Sequence, residues 1–167
     1  STDKVANFCL ESNIKLISMS STSVYGTQEA TVDENCSEDE LKPQSPYAEI
    51  KLKEERLIAN ISKKYDFKSV IFRPGTIYGI SPGMRFHTAV NKFCWQAVMN
   101  KPITVWKTAM DQKRPYLDLL DLSNAIAYVI NKNLFNNEIY NVLTENLTVN
   151  EILNTIKTYS PNLTIEL

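Results

Sequence analysis

Ile14-Lys15-Leu16-Ile17-Ser18-Met19 runs directly into Ser20-Ser21-Thr22-Ser23-Val24-Tyr25-Gly26, and that junction decides how the rest of the chain is read. The first six residues form a short apolar run suited to a buried strand. The hydroxyl cluster follows at the carboxyl end of that strand, which is where ligands bind in open α/β sheets. Upstream, Lys4 to Glu11 has the pattern of a helix tail, with Asn13 as the break.

Downstream, strand and helix signals alternate. Residues 27–44 are acidic, polar and Pro-terminated, the pattern of a long surface loop. Ser45-Pro46 then opens a helix, because Ser is a favoured N-cap and Pro at the first helical position forfeits no hydrogen bond. Its periodicity carries to about Tyr65 and predicts a buried face of Ile50, Leu57, Ile58 and Ile61. Lys68 to Arg73 is a second strand, closed by Pro74-Gly75 and followed by a Gly/Pro loop to Gly83. A helix around Thr88–Asn100, strands at Ile103–Trp106 and Arg114–Leu119, and a helix capped by Asp121 and running to about Asn131 come next. Glu138–Val142 is a further strand, and Thr148-Val149-Asn150-Glu151 is a capping box opening a last helix to about Tyr159. This alternation predicts an α/β fold with a largely parallel sheet.

Composition removes several classes of function. The 167 residues are 43% hydrophobic and 22% charged, ordinary for a globular chain. Eighteen basic against nineteen acidic residues leave a net charge of −1, no footprint for nucleic acid or an anionic membrane. Trp95, Trp106 and the tyrosines do not alternate with Lys or Arg, which argues against base stacking. No apolar run approaches the roughly 20 residues of a membrane span, and no signal-peptide pattern is visible, so a cytoplasmic location is expected. Cys9, Cys36 and Cys94 fit neither a disulfide framework nor a CxxC site. No His/Cys/Asp cluster has ligand spacing, so no metal is expected. A serine hydrolase is unsupported, since there is no G-x-S-x-G elbow.

Tyr47 and Lys51 carry the chemistry. Four apart on one helix, they project from the same face. A phenol is a poor base at neutral pH, with a pKa of about 10. A nearby ammonium favours the phenolate, which suits acid–base work on an alcohol. A serine from the 20–23 cluster could bind the same substrate oxygen.

Three segments in order, Ser20-Ser21-Thr22-Ser23-Val24-Tyr25-Gly26, Ser45-Pro46-Tyr47-Ala48-Glu49-Ile50-Lys51 and Arg73-Pro74-Gly75-Thr76-Ile77-Tyr78-Gly79, resemble successive motifs of the extended short-chain dehydrogenase/reductases. More narrowly, they resemble the NAD-dependent nucleotide-sugar epimerase/dehydratase group. Arg114-Pro115-Tyr116-Leu117-Asp118-Leu119-Leu120-Asp121 and Ile139-Tyr140-Asn141-Val142 are similar to two later segments of that group. The resemblance implies a catalytic triad of Ser21, Tyr47 and Lys51, with Ser20 or Thr22 replacing Ser21 if the alignment slips by one. Tyr47 would be the acid/base. Lys51 would assist it and, with Tyr47, hold the nicotinamide ribose of NAD or NADP. Backbone at Pro74, Gly75, Thr76 and Ile77 would face the nicotinamide. Arg114 would clamp the nucleotide diphosphate, unless it is a surface ion-pair residue. Thr22, Thr76 and His87 would complete the substrate side, with an ordinary surface role the competing reading of His87.

The resemblance further implies a partial, Rossmann-like second half-sheet over residues 1–83. Residues 84–167 would form part of a small substrate-binding lobe interleaved with the last Rossmann strand. The family's Gly-rich phosphate loop is absent from these residues. Thr76 stands where many members carry Asn, and Asp118 where many carry His. Dehydratases of the family commonly place acidic residues just after the active-site hydroxyl. Thr22 and Ser23 occupy those positions, which favours an epimerase or keto-reductase acting on a nucleotide-sugar. The alternative is a non-catalytic or partner-dependent fragment that does not bind NAD alone. The Ile14–Met19 strand is expected at an open sheet edge. Either a second copy, giving a homo-oligomer, or a missing N-terminal segment would cover it.

Overall fold

The computed structural model describes residues 1–27 and 31–166, so residues 28–30 of the expected 27–44 loop lie outside the described residues. The chain divides into two compact units, Ser1–Gly75 with Leu122–Val142, and Thr76–Asp121 with Leu143–Leu167.

The first unit is built on a three-stranded parallel sheet. Its strands are β1 (Leu16–Met19), β2 (Ser69–Pro74) and β6 (Ile139–Val142), with β2 in the centre. The register sets Leu16 opposite Ser69, and Ile71 opposite Ile139. Alternation sends Val70 and Phe72 to one face of β2 and Ile71 to the other. Ile71 packs with Ala6 and Cys9 of α1 (Thr2–Glu11) and Ile58 of α2 (Pro46–Lys64). Val70 and Phe72 pack with Val129 of α4 (Leu119–Asn131). Each of these β2 side chains contributes about 1.5–3 kcal/mol of burial. A strand covered on both faces reads as a continuous apolar run, which is why Val70-Ile71-Phe72 is recognisable in the sequence.

Two expectations about helices are corrected. The buried stripe of α2 is Ala48, Leu52, Glu55 and Ile58, spaced four, three and three apart. Ile50 lies two residues off that stripe and is 55% exposed, while Leu57 and Ile61 are half-buried. In α4, Asp118 rather than Asp121 caps the helix: its Oδ1 accepts from the Leu120 N–H at 2.7 Å. Asp121 instead sits in the first turn, where a carboxylate still favours the helix dipole.

The second unit holds a mixed sheet of β3 (Thr76–Tyr78), β5 (Arg114–Asp118) and β7 (Glu145–Leu147), in which β5 is central. It also holds a parallel pair, β4 (Ile103–Thr104) with β8 (Ile165–Glu166). Strand β3 falls within the stretch that reads as a loop to Gly83, and β7 and β8 have no counterpart in the sequence pattern. The strand expected over 103–106 contracts to two residues. Helices α3 (Ala89–Val98) and α5 (Val149–Tyr159) pack around Phe93, Ile103, Tyr116 and Leu153. Among the described residues no helix is long and apolar enough to cross a membrane.

Candidate functional site

The first unit supplies Ser21, Thr22, Tyr47, Lys51, Pro74 and Gly75. Helix α2 begins where Ser45 Oγ accepts from the Ala48 N–H at 3.2 Å, with Pro46 in the first turn. That cap fixes the helix start and places Tyr47 and Lys51 on the first two turns. Tyr47 is 56% exposed, and the Lys51 ammonium lies 5.9 Å from the centroid of its ring. The ammonium donates to the Met19 carbonyl at 2.9 Å and to Glu54 Oε2 at 3.0 Å. Lys51 is therefore pinned to the last residue of β1, at the carboxyl end of a parallel sheet. Burial pushes the Glu54 carboxyl up, but the Thr2 hydroxyl and the Lys51 ammonium outweigh it and hold the group below its ordinary range.

Ser21 lies just beyond the end of β1. It N-caps a short 3-10 turn over Thr22–Tyr25, its Oγ accepting from the Ser23 N–H at 3.1 Å. Thr22 Oγ1 donates to the Pro74 carbonyl at 3.2 Å, which joins the hydroxyl turn to the end of β2. The Gly75 N–H donates to the Val142 carbonyl at 2.9 Å. Ser23 Oγ is buried with no hydrogen-bond partner among the described residues.

Below this rim lies a group of residues that sequence reasoning does not assign to the site. Glu55 and Arg73 form a buried ion pair, with Nη2–Oε2 at 2.6 Å and Nε–Oε1 at 2.9 Å. Ser20 Oγ also donates to Glu55 Oε1. Arg73 Nη1 donates to the Tyr25 hydroxyl at 2.8 Å, which in turn donates to Asn141 Oδ1 at 2.9 Å. Burial works against the Arg73 charge, but Glu55 outweighs it and drives the guanidinium further above its ordinary value. The Tyr25 phenol is pushed up by burial, against the pull of Arg73.

The remaining candidates belong to the second unit. Thr76 and Ile77 are exposed on β3, with Thr76 paired opposite Tyr116. Arg114 begins β5, is exposed, and donates to Gln112 Oε1 at 2.9 Å. It forms no ion pair among the described residues. His87 is exposed in the loop before α3. No group of three or more His, Cys, Asp or Glu among the described residues is placed to hold a metal.

Residues 1–142 match the sequence model of the NAD dependent epimerase/dehydratase family. A Bacillus subtilis (strain 168) protein described as an uncharacterized UDP-glucose epimerase, YtcB, is 33% identical over 127 residues, 74% of this chain and 38% of that protein. A UDP-glucuronic acid 4-epimerase from Bacillus cereus, solved with NAD and a fluorinated UDP-sugar, superposes with a TM-score of 0.84 at 25% identity. That superposition covers 99% of this chain and 52% of the other. The UDP-glucose 4-epimerase of Thermus thermophilus, solved with NAD, gives 0.77 at 26% identity, covering 99% and 55%. The chain thus spans about half the length of these solved relatives.

Proposed function

This chain belongs to the NAD dependent epimerase/dehydratase family, and on that premise we propose that it carries the proton-transfer site of an NAD-linked epimerase for nucleotide-diphosphate sugars. The observation that carries the proposal is the Lys51 ammonium, tied to the carboxyl end of β1 and set beside the exposed Tyr47 ring. An ammonium has three donors, so with one on the strand-end carbonyl and one on Glu54 a third is left for a ribose hydroxyl. The exposed phenol beside it can meet a sugar hydroxyl. These residues fit the nicotinamide–ribose end of NAD. No Gly-rich turn for the pyrophosphate occurs in the 167 residues.

Bound there, NAD supplies the hydride acceptor and donor. The chain's own residues handle the proton. Tyr47 Oη takes it from a sugar hydroxyl as the carbonyl forms, and returns it when the carbonyl is reduced on the opposite face. Lys51 favours the transient phenolate by its charge. The Ser21 hydroxyl orients the sugar oxygen, with Thr22 beside it. By the family resemblance, the backbone from Pro74 to Ile77 would face the nicotinamide, Arg114 would take the diphosphate through its planar fork, and His87 and Thr76 would serve the substrate. Neither Thr22 nor Ser23 is a carboxylic acid, which favours epimerisation over 4,6-dehydration.

The test is Tyr47→Phe, with a polypeptide bearing the Gly-rich loop supplied in cis or in trans. Conversion of UDP-glucose or UDP-glucuronic acid to its C4 epimer is followed by the anomeric proton resonances. A loss of at least about 100-fold is expected for a missing general acid–base group. Activity within a few-fold of the unsubstituted protein would remove Tyr47 from the role. Accumulation of a 4-keto-6-deoxy sugar would replace the epimerase by a dehydratase.

A further inference from the structure

We propose that Glu55 and Arg73 are positioning residues for the Ser21–Tyr47–Lys51 site, an assignment that rests on the proposed function for its meaning. Two members of their network lie next in the chain to, or one helical turn away from, a group of that site, and the others reach the turn and the strand end that border it. Glu55 lies one turn beyond Lys51 on α2. Ser20, bonded to Glu55 Oε1, immediately precedes Ser21. Arg73 immediately precedes Pro74. Tyr25, bonded to Arg73 at 2.8 Å, ends the 3-10 turn that Ser21 caps. Asn141, bonded to Tyr25 at 2.9 Å, lies on β6 one residue before Val142, whose carbonyl receives the Gly75 N–H.

A contribution to stability alone does not explain a buried ion pair at this place. The side chains of Arg73 and Glu55 are 3% and 4% exposed, so both charges have lost their water. Well-packed apolar residues of similar volume often serve a core equally well or better. What the pair adds is geometry. The guanidinium is planar, and its two bonds to Glu55 are satisfied together only when α2 and β2 hold one register. Its third bond, to Tyr25, fixes the hydroxyl turn against the same plane. Glu55 Oε1 completes the set by accepting from both Arg73 and Ser20. The helix that carries Tyr47 and Lys51, the turn that carries Ser21, and the strand end at Pro74–Gly75 are thereby referred to one rigid fork.

The experiment uses the 167-residue chain and the paired variant Glu55→Met/Arg73→Met, in which neither charge is left alone. Amide hydrogen exchange is read at Ser23 and Gly75 on the rim, and at Leu16 and Ile71 in the sheet, whose N–H groups donate to the Lys68 and Glu138 carbonyls. The rim amides are expected to exchange at least tenfold faster, with the sheet amides within threefold of the unsubstituted chain. Rim amides that stay within threefold overturn the proposal. So does a parallel acceleration of rim and sheet, because the pair would then serve the fold at large. Arg73→Lys keeps the charge but not the fork, and covers the case in which the paired variant does not fold. Rim acceleration in Arg73→Lys supports the proposal, whereas full rim protection overturns it. Neither measurement involves NAD or a sugar, so absent epimerase turnover would defeat the proposed function while leaving the exchange result standing.

Discussion

At Gly26 the backbone adopts φ +67°, and a Cβ built there would lie 2.0 Å from the Lys42 carbonyl oxygen. Positive φ and close backbone approach both demand glycine at the end of the hydroxyl turn. Gly26→Ala must move the Lys42 segment or the turn itself. A loss of about 2 kcal/mol is expected, within the range for a strained backbone residue, read as a lower urea midpoint at unchanged slope. An unshifted midpoint would show that the Lys42 segment yields freely. Among the candidate site residues, Tyr47 and Lys51 are legible in the sequence because a Ser-Pro start and a four-residue spacing put them on one helix face. Glu55 is not. In Lys51-Leu52-Lys53-Glu54-Glu55-Arg56 a carboxylate reads as one more solvated charge, and its partner, Arg73, is distant in the chain. Only the packed structure shows that the buried stripe of α2 includes it.

Helix α5 has the fullest cap in the molecule's second unit. Thr148 Oγ1 accepts from the Glu151 N–H at 3.2 Å, and Glu151 Oε2 accepts from the Thr148 N–H at 2.7 Å. Thr148→Ala is expected to cost about 1 kcal/mol of unfolding free energy, measured by thermal melting at neutral pH. The Thr148 backbone and hydroxyl hold the Glu151 carboxyl below its ordinary value. Because its folded pKa is the lower one, its contribution is fully present above the ordinary carboxylate range. It is lost as the pH falls through the folded value. The stability difference between the unsubstituted protein and Glu151→Gln should therefore narrow on acidification; a difference that widens in acid would reverse this sign. The T-x-x-E signal makes α5 legible, as continuous apolar runs do for β1 and β2. Strands β3, β7 and β8 are two or three residues long and carry no period of their own. They are strands only because β5 or β4 lies alongside, which is tertiary information. Asp121 looks like the cap for a related reason, since Asp118 serves both as the end of β5 and as the N-cap of α4.

Across the molecule, the parallel sheet of the first unit ends at β1, whose one neighbour among the described residues is β2. Lys15 is the single charge in the Ile14–Met19 run, and Ile14, Val5 and Phe8 are exposed. An apolar strand edge of this kind pairs with another chain unless something covers it. The 167-residue chain is expected to associate, shown by a sedimentation coefficient that rises with concentration in the micromolar range. A compact monomer at every concentration, binding no apolar dye, would mean that the edge is innocuous. The other edge of the sheet is β6, which completes the pairing of β2 and whose four residues begin at Ile139, far along the chain from β2. This late closure has a consequence during synthesis. At a ribosomal rate of about 5–20 residues per second, β2 leaves the ribosome several seconds before its partner strand exists. Through that interval Tyr25 has no Asn141 to accept from its hydroxyl, and Gly75 has no Val142 carbonyl. The first unit, although it holds the earliest residues, is therefore not finished by them: its assembly waits on Leu122–Val142, translated after Thr76–Asp121 of the second unit, which itself is completed only by Leu143–Leu167.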